Sequence, residues 1–166
     1  AGILMGVFGM AVPEVMGMGY GIIGSISANE IAIGSLVIIL VLKLVLSSAC
    51  VGFGIPAGMV GPTMVVGACA GAILGYIGNL ALPEYASSMT FYAVIGMCAM
   101  MSATLKAPLA ALMAMLELTG NPEIILPGML AIVFSSLIIH DYFKLDALFV
   151  SILRYRGLDF QNDPIS

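Results

Sequence analysis

Charged side chains are so sparse in this chain that they mark boundaries. Glu14, Glu30, Lys43, Glu84, Lys106, Glu117 and Glu123 are followed by a polar cluster that opens at His140. Between Lys43 and Glu84 lie about forty residues without a charge. That is twice the roughly 20 apolar residues that cross a bilayer once. The run is not one helix, because the glycines and prolines of Gly52 to Gly61 interrupt it. The pattern predicts the end of a helix over 2–11, a glycine-rich break over 13–21 and a long apolar helix over 31–51. After the break at 52–61, helices are predicted over 62–82, 87–104, 108–118, 124–139 and 145–155. The last is amphipathic and ends in Arg154 and Arg156.

Several of these segments are too short to span about 30 Å of hydrocarbon. In lipid, broken helices persist only inside a protein or around a wet cavity. Short segments interrupted by Gly and Pro are a pointer to a transporter binding site. Gly67, Gly71 and Gly75 recur every fourth residue, which predicts a face that another helix approaches closely.

Composition narrows the class. Hydrophobic residues make up 61% of the 166 and charged residues 8%, against about 25% charged in soluble domains. Mean hydropathy is +1.17. Such a chain lacks the charge to keep a water-facing surface soluble, so lipid must cover most of it. The expected fold is therefore all-α, a polytopic membrane bundle with broken, short, tilted helices. Membrane-embedded residues run to 156, and 157–166 form a tail or the start of a linker. The first residues show no basic n-region and read as the interior of a longer chain. Lys144, Arg154 and Arg156 place the C-terminal end in the cytoplasm by the positive-inside rule. No basic stripe supports nucleic-acid binding. Cys50, Cys69 and Cys98 have no metal or redox spacing and read as small buried hydrophobes. No metal site, catalytic residue or cofactor is expected.

The segment Gly54 to Thr63 carries the candidate chemistry. Gly58, Gly61 and Pro62 form a helix-start motif. Proline suits the first turn, where its missing N–H costs nothing. A helix start offers unpaired N–H groups and a partial positive charge, and small residues let an ion approach the backbone. Such an end attracts an anion without a charged side chain that would trap it. The plainer reading is a loop joining two spans.

GIPAGMVGPTMVVGACAG resembles the GxFxP region of the CLC chloride channels and proton-coupled chloride transporters. Lys106-Ala107-Pro108-Leu109, Leu116-Glu117-Leu118-Thr119, Asn121 and Ile125-Leu126-Pro127 look like that family's RAPL, LEMT, N and ILP motifs, almost without gaps from Ala93 to Ile132. The resemblance implies the C-terminal half of a membrane domain built from inverted repeats. It implies that the backbone amides of Met59 and Val60 bind the central chloride. Val60 stands where the family usually has Phe. The family's last-helix Tyr aligns with Phe149, which keeps an inner-gate position but cannot donate a hydroxyl hydrogen bond. Tight coupling of protons to chloride is thereby in doubt, with Tyr142 or Tyr155 as substitutes. The implied partners are chloride, protons in the exchanger subgroup, the lipid bilayer, a second copy in a homodimer and the missing N-terminal half. The implied location is a multi-pass integral membrane protein, in the cell inner membrane if bacterial. The gating glutamate, the selectivity serine and the proton-transfer glutamate belong to regions outside this chain. Phe53 in GFGIP echoes the selectivity motif but does not take over its role. Fluoride is an alternative anion.

Other polar residues read as structural. Lys43 either lines an anion vestibule or snorkels to headgroups. Glu117 is expected to bond backbone near Thr119 and Asn121, and Glu123 to complement a helix start. His140 marks a membrane boundary. An intramembrane enzyme would need a polar dyad that the sequence does not offer. A purely structural membrane subunit remains the alternative from a different class.

Overall fold

The structure is a computed structural model that describes residues 32–53, 58–81, 87–143 and 147–155. The expected elements over 2–11 and 13–21 and the tail after 156 lie outside the described residues, as does most of the break before Met59. Among the described residues six α-helices follow in order: α1 (Ile33–Gly52), α2 (Val60–Ala81), α3 (Met89–Leu105), α4 (Pro108–Thr119), α5 (Ile125–Leu137) and α6 (Leu148–Tyr155). A 3-10 turn (Pro122–Ile124) leads into α5, and a π turn (Ile138–Tyr142) leads out of it.

Local chemistry sets most ends. Ser88 caps α3, its hydroxyl accepting from the Phe91 amide at 3.3 Å, in the manner of a preferred N-cap residue. Lys106 closes α3 in the left-handed region, at φ 53° and ψ 36°. Pro108 then takes the first position of α4. Gly120 ends α4 at φ 60°, a conformation that costs glycine nothing. The Asn121 side chain accepts from the Glu123 amide at 2.9 Å, and Glu123 lies in the turn that opens toward α5.

The helix expected over 124–139 thus resolves into three pieces. The helix expected from Pro62 begins two residues earlier, at Val60, so Pro62 sits third in the helix, still inside the first turn. Each of the other described helices starts and stops within about three residues of its expected place.

α3 is the centre of the bundle. It packs along α2, against α4 and α5, and more lightly on α6, while α1 lies on α2. The α2–α3 approach is close because glycine removes the side chains between them. A Cβ at Gly67 would meet the Gly96 carbonyl at 2.5 Å, and one at Gly75 the Tyr92 ring at 2.7 Å. A Cβ at Gly71 would collide with the Tyr92 carbonyl, and one at Gly96 with the Gly67 carbonyl. This is the small-residue packing expected where lipid provides no hydrophobic drive between helices. Around it lie Leu36, Ile39, Val65, Ala68, Cys69, Met97, Cys98 and Met115, all buried.

Among the described residues, three segments are long and apolar enough to cross a membrane: Ile33–Gly52, Val60–Ala81 and Pro122–Tyr142. α3 and α4, with 17 and 12 residues, are shorter. The outer faces remain apolar. On α5 the exposed side chains include Leu126, Leu130, Val133, Phe134 and Leu137. The chain is an all-α integral membrane protein.

Candidate functional site

The start of α2 is the first element of the site. The Thr63 amide donates to the Met59 carbonyl at 3.2 Å, which is the first i to i−4 bond of the helix. Pro62 has no N–H. The amides of Met59, Val60 and Gly61 therefore precede the intrahelical ladder. Among the described residues, none accepts a hydrogen bond from them. The Thr63 hydroxyl donates to the Val60 carbonyl at 2.8 Å, which ties the turn down from the side-chain direction. Gly58 has open space where a Cβ would stand, Met59 is half-buried and Val60 is exposed.

This helix start borders a cavity of about 580 Å³. Met59, Pro62 and Thr63 line it from α2, Ser47, Ser48 and Val51 from the last turns of α1, Met100 from α3, and Leu148, Ser151 and Ile152 from α6. Among the described residues, no ionised side chain lines it. The polarity available there comes from backbone dipoles and hydroxyl groups, set against walls of Leu, Val, Ile and Met. In such surroundings a helix-end partial charge is less screened than in water. The arrangement suits a small anion that must be attracted and then released.

The sequence-derived residues divide on this geometry. Met59 and Pro62 line the cavity, with Val60 and Gly61 between them on the same turn. Phe149 belongs to α6 but is 52% exposed, and the cavity is lined by its neighbours Leu148, Ser151 and Ile152 instead. Ser47, Ser48 and Ser151 were not picked out by sequence reasoning. A serine in an apolar helix looks the same whether it packs or faces a cavity. Only the cavity that α1 and α6 line together separates the two.

Lys43 is 4% exposed and lies beside Cys69 of α2. It therefore does not reach headgroups, nor does it line the cavity. Near the end of α4 the backbone contacts expected of Glu117 are made by other groups. The Thr119 hydroxyl donates to the Met115 carbonyl at 2.8 Å and accepts from the Asn121 amide at 3.5 Å, while Glu117 is exposed. His140 is exposed in the π turn that ends the third span. Cys50, Cys69 and Cys98 are buried free thiols. Among the described residues, no three His, Cys, Asp or Glu side chains gather to hold a metal.

A family model described as voltage gated chloride channel matches residues 1–140. The chain belongs to that family. Among curated relatives it is 32% identical, over 124 residues, to proteins named H(+)/Cl(-) exchange transporter ClcA from Salmonella arizonae, Salmonella paratyphi B and Salmonella newport. Each match covers 75% of this chain and 26% of the relative, so the chain spans about a quarter of the length of these transporters. The family match includes the start of α2 and the whole KAPL-to-ILP stretch. It stops at His140, before α6 and Phe149.

Proposed function

We propose that this chain is the C-terminal part of the membrane domain of a chloride-transporting protein, in which the amides of Met59 and Val60 hold the transported ion. The observation that carries this reading is a helix start whose first amides have no acceptor among the described residues, beside a cavity that no described ionised side chain lines. Family membership and the likeness to proteins named H(+)/Cl(-) exchange transporters support chloride as the anion and protons as a second substrate. The other parts of the reading are a homodimer, an N-terminal half that completes each pathway, a cytoplasmic C-terminus and, in a bacterium, the inner membrane. Gly58, Gly61 and Pro62 give the ion access to the backbone, and Phe149 stands at the inner end.

The decisive substitution is Val60→Pro. Val60 is the first residue of α2, where proline is tolerated while its N–H is lost. A hydrogen bond to a charged group contributes about 1.5–3 kcal/mol. Chloride binding by the intact protein should therefore weaken about tenfold or more, while Val60→Ala, which keeps the amide, stays near wild type. Calorimetric chloride titration and chloride efflux from liposomes measure both. Equal affinity in the two variants counts against the amide site. Complete absence of anion flux from the folded wild-type protein favours a structural membrane subunit. Faster fluoride than chloride efflux makes fluoride the substrate.

A further inference from the structure

A second cavity, of about 260 Å³, lies where α3 ends, α4 begins and α5 passes into its π turn. It does not belong to the proposed chloride pathway and is lined by different residues. Ser102 and Ser136 line it, which we take as its floor, together with Lys106, Pro108 and His140 from three elements. We propose that it binds a phosphate-class oxyanion at the membrane boundary.

Three observations on separate elements converge there. First, Lys106 and His140 are exposed side chains from α3 and the π turn that line the same small space. Among the described residues no carboxylate lines it, and Asp141, the neighbour of His140, is exposed outside the lining. Second, the floor keeps a spare donor. The Ser102 and Ser136 hydroxyl oxygens are 2.8 Å apart, so only one of their two hydrogens lies between them. Among the described residues neither hydroxyl has a second partner, and Ser102 is fully buried. An oxyanion reaching the floor satisfies the remaining O–H. Third, α4 begins at Pro108 without a side-chain cap, and its first intrahelical donor is Ala111. Pro108, the first residue of α4, lines the cavity, so the positive end of the helix dipole stands at its edge.

Backbone geometry also favours a role for the lysine. Lys106 is the only non-glycine residue with positive φ among the described residues. A position of this kind favours Gly or Asn. The left-handed turn joins α3 to α4, and Lys106 and Pro108 line the same cavity. The π turn, a form that recurs at functional sites, carries His140.

The span Pro122–Tyr142 ends at this level, so a phospholipid phosphate and a soluble phosphate offer the same chemistry. The test uses the intact purified protein. Native mass spectrometry compares retention of phosphatidylglycerol with phosphatidylcholine, and thermal shift with inorganic phosphate forms a second arm. Retention of phosphatidylglycerol about tenfold above phosphatidylcholine, lost in the Lys106→Gln/His140→Gln double variant, identifies a lipid headgroup. Stabilisation by inorganic phosphate without lipid preference, again lost in the double variant, identifies the free oxyanion. The proposal is overturned if neither probe binds, or if either binds the double variant as it binds wild type. Should the double variant elute as an aggregate, His140→Gln alone is used. A loss of about threefold is then expected, and an unchanged profile overturns the site.

Discussion

The glycines of α2 differ in what surrounds them, and this separates packing from composition. Gly71 faces the α3 backbone at the Tyr92 carbonyl and the Ala93 Cα, the latter 3.1 Å from a built Cβ. Gly78, two turns further along the same helix, has nothing within 4 Å. Backbone cannot swing away as a flexible side chain does. Gly71→Ala must therefore push α2 off α3 and should cost about 1–3 kcal/mol. Gly78→Ala only removes unfolded-state freedom and should be neutral or stabilising by about 0.5–1 kcal/mol. Thermal unfolding of the purified intact protein in detergent compares the two. Equal effects would mean that α2 and α3 do not approach along this face. A residue-scale prediction at the other end of the pathway concerns Phe149. Phe149→Tyr restores a hydroxyl donor. If position 149 closes the inner end, chloride affinity should rise several-fold, by about the 1 kcal/mol of a hydrogen bond. An unchanged titration would instead assign the α6 contribution to the cavity-lining Ser151.

Between elements, α3 and α5 are joined by polar contacts in an otherwise apolar seam. The Ser135 hydroxyl donates to the Ala99 carbonyl at 2.7 Å, and Ser102 meets Ser136 one turn further on. A double-mutant cycle on Ser102→Ala and Ser136→Ala should give a coupling of about 0.6 kcal/mol, the average for such bonds between membrane helices. Zero coupling in unfolding measurements would place the two hydroxyls apart. These contacts also show where sequence reading stops. The positions of the described helices were legible, because Pro108, Gly120 and Pro122 and the Gly-Pro break before Thr63 each act locally. The α2 start was misplaced by two residues, since proline fits several positions of a first turn and does not specify which. The motif at Met59 and Val60 was legible through its likeness to a family. The π turn, the Ser102–Ser136 pair and the hydroxyls of the larger cavity were not. Each arises from the meeting of helices far apart in sequence, and a serine on an apolar helix carries no local mark of what it will face.

At the scale of the whole molecule, the proposed anion site is one-sided. The start of α2, the end of α1 and part of α6 supply one wall, while Gly58, Val60 and Phe149 are exposed. A dehydrated anion needs donors around it, because a charge taken from water without compensation costs far more than two amides return. The remaining donors must come from elsewhere, and the chain spans about a quarter of its transporter relatives. It follows that this chain, inserted alone into liposomes, should give chloride efflux no faster than empty vesicles. Co-expressed with the rest of the membrane domain, it should restore efflux, and Val60→Pro within that assembly should reduce it. Efflux from the chain alone would be the informative failure. It would mean that several copies close a pathway around their own α2 starts, and the second half would then be needed for gating or coupling, with the ion site already complete without it.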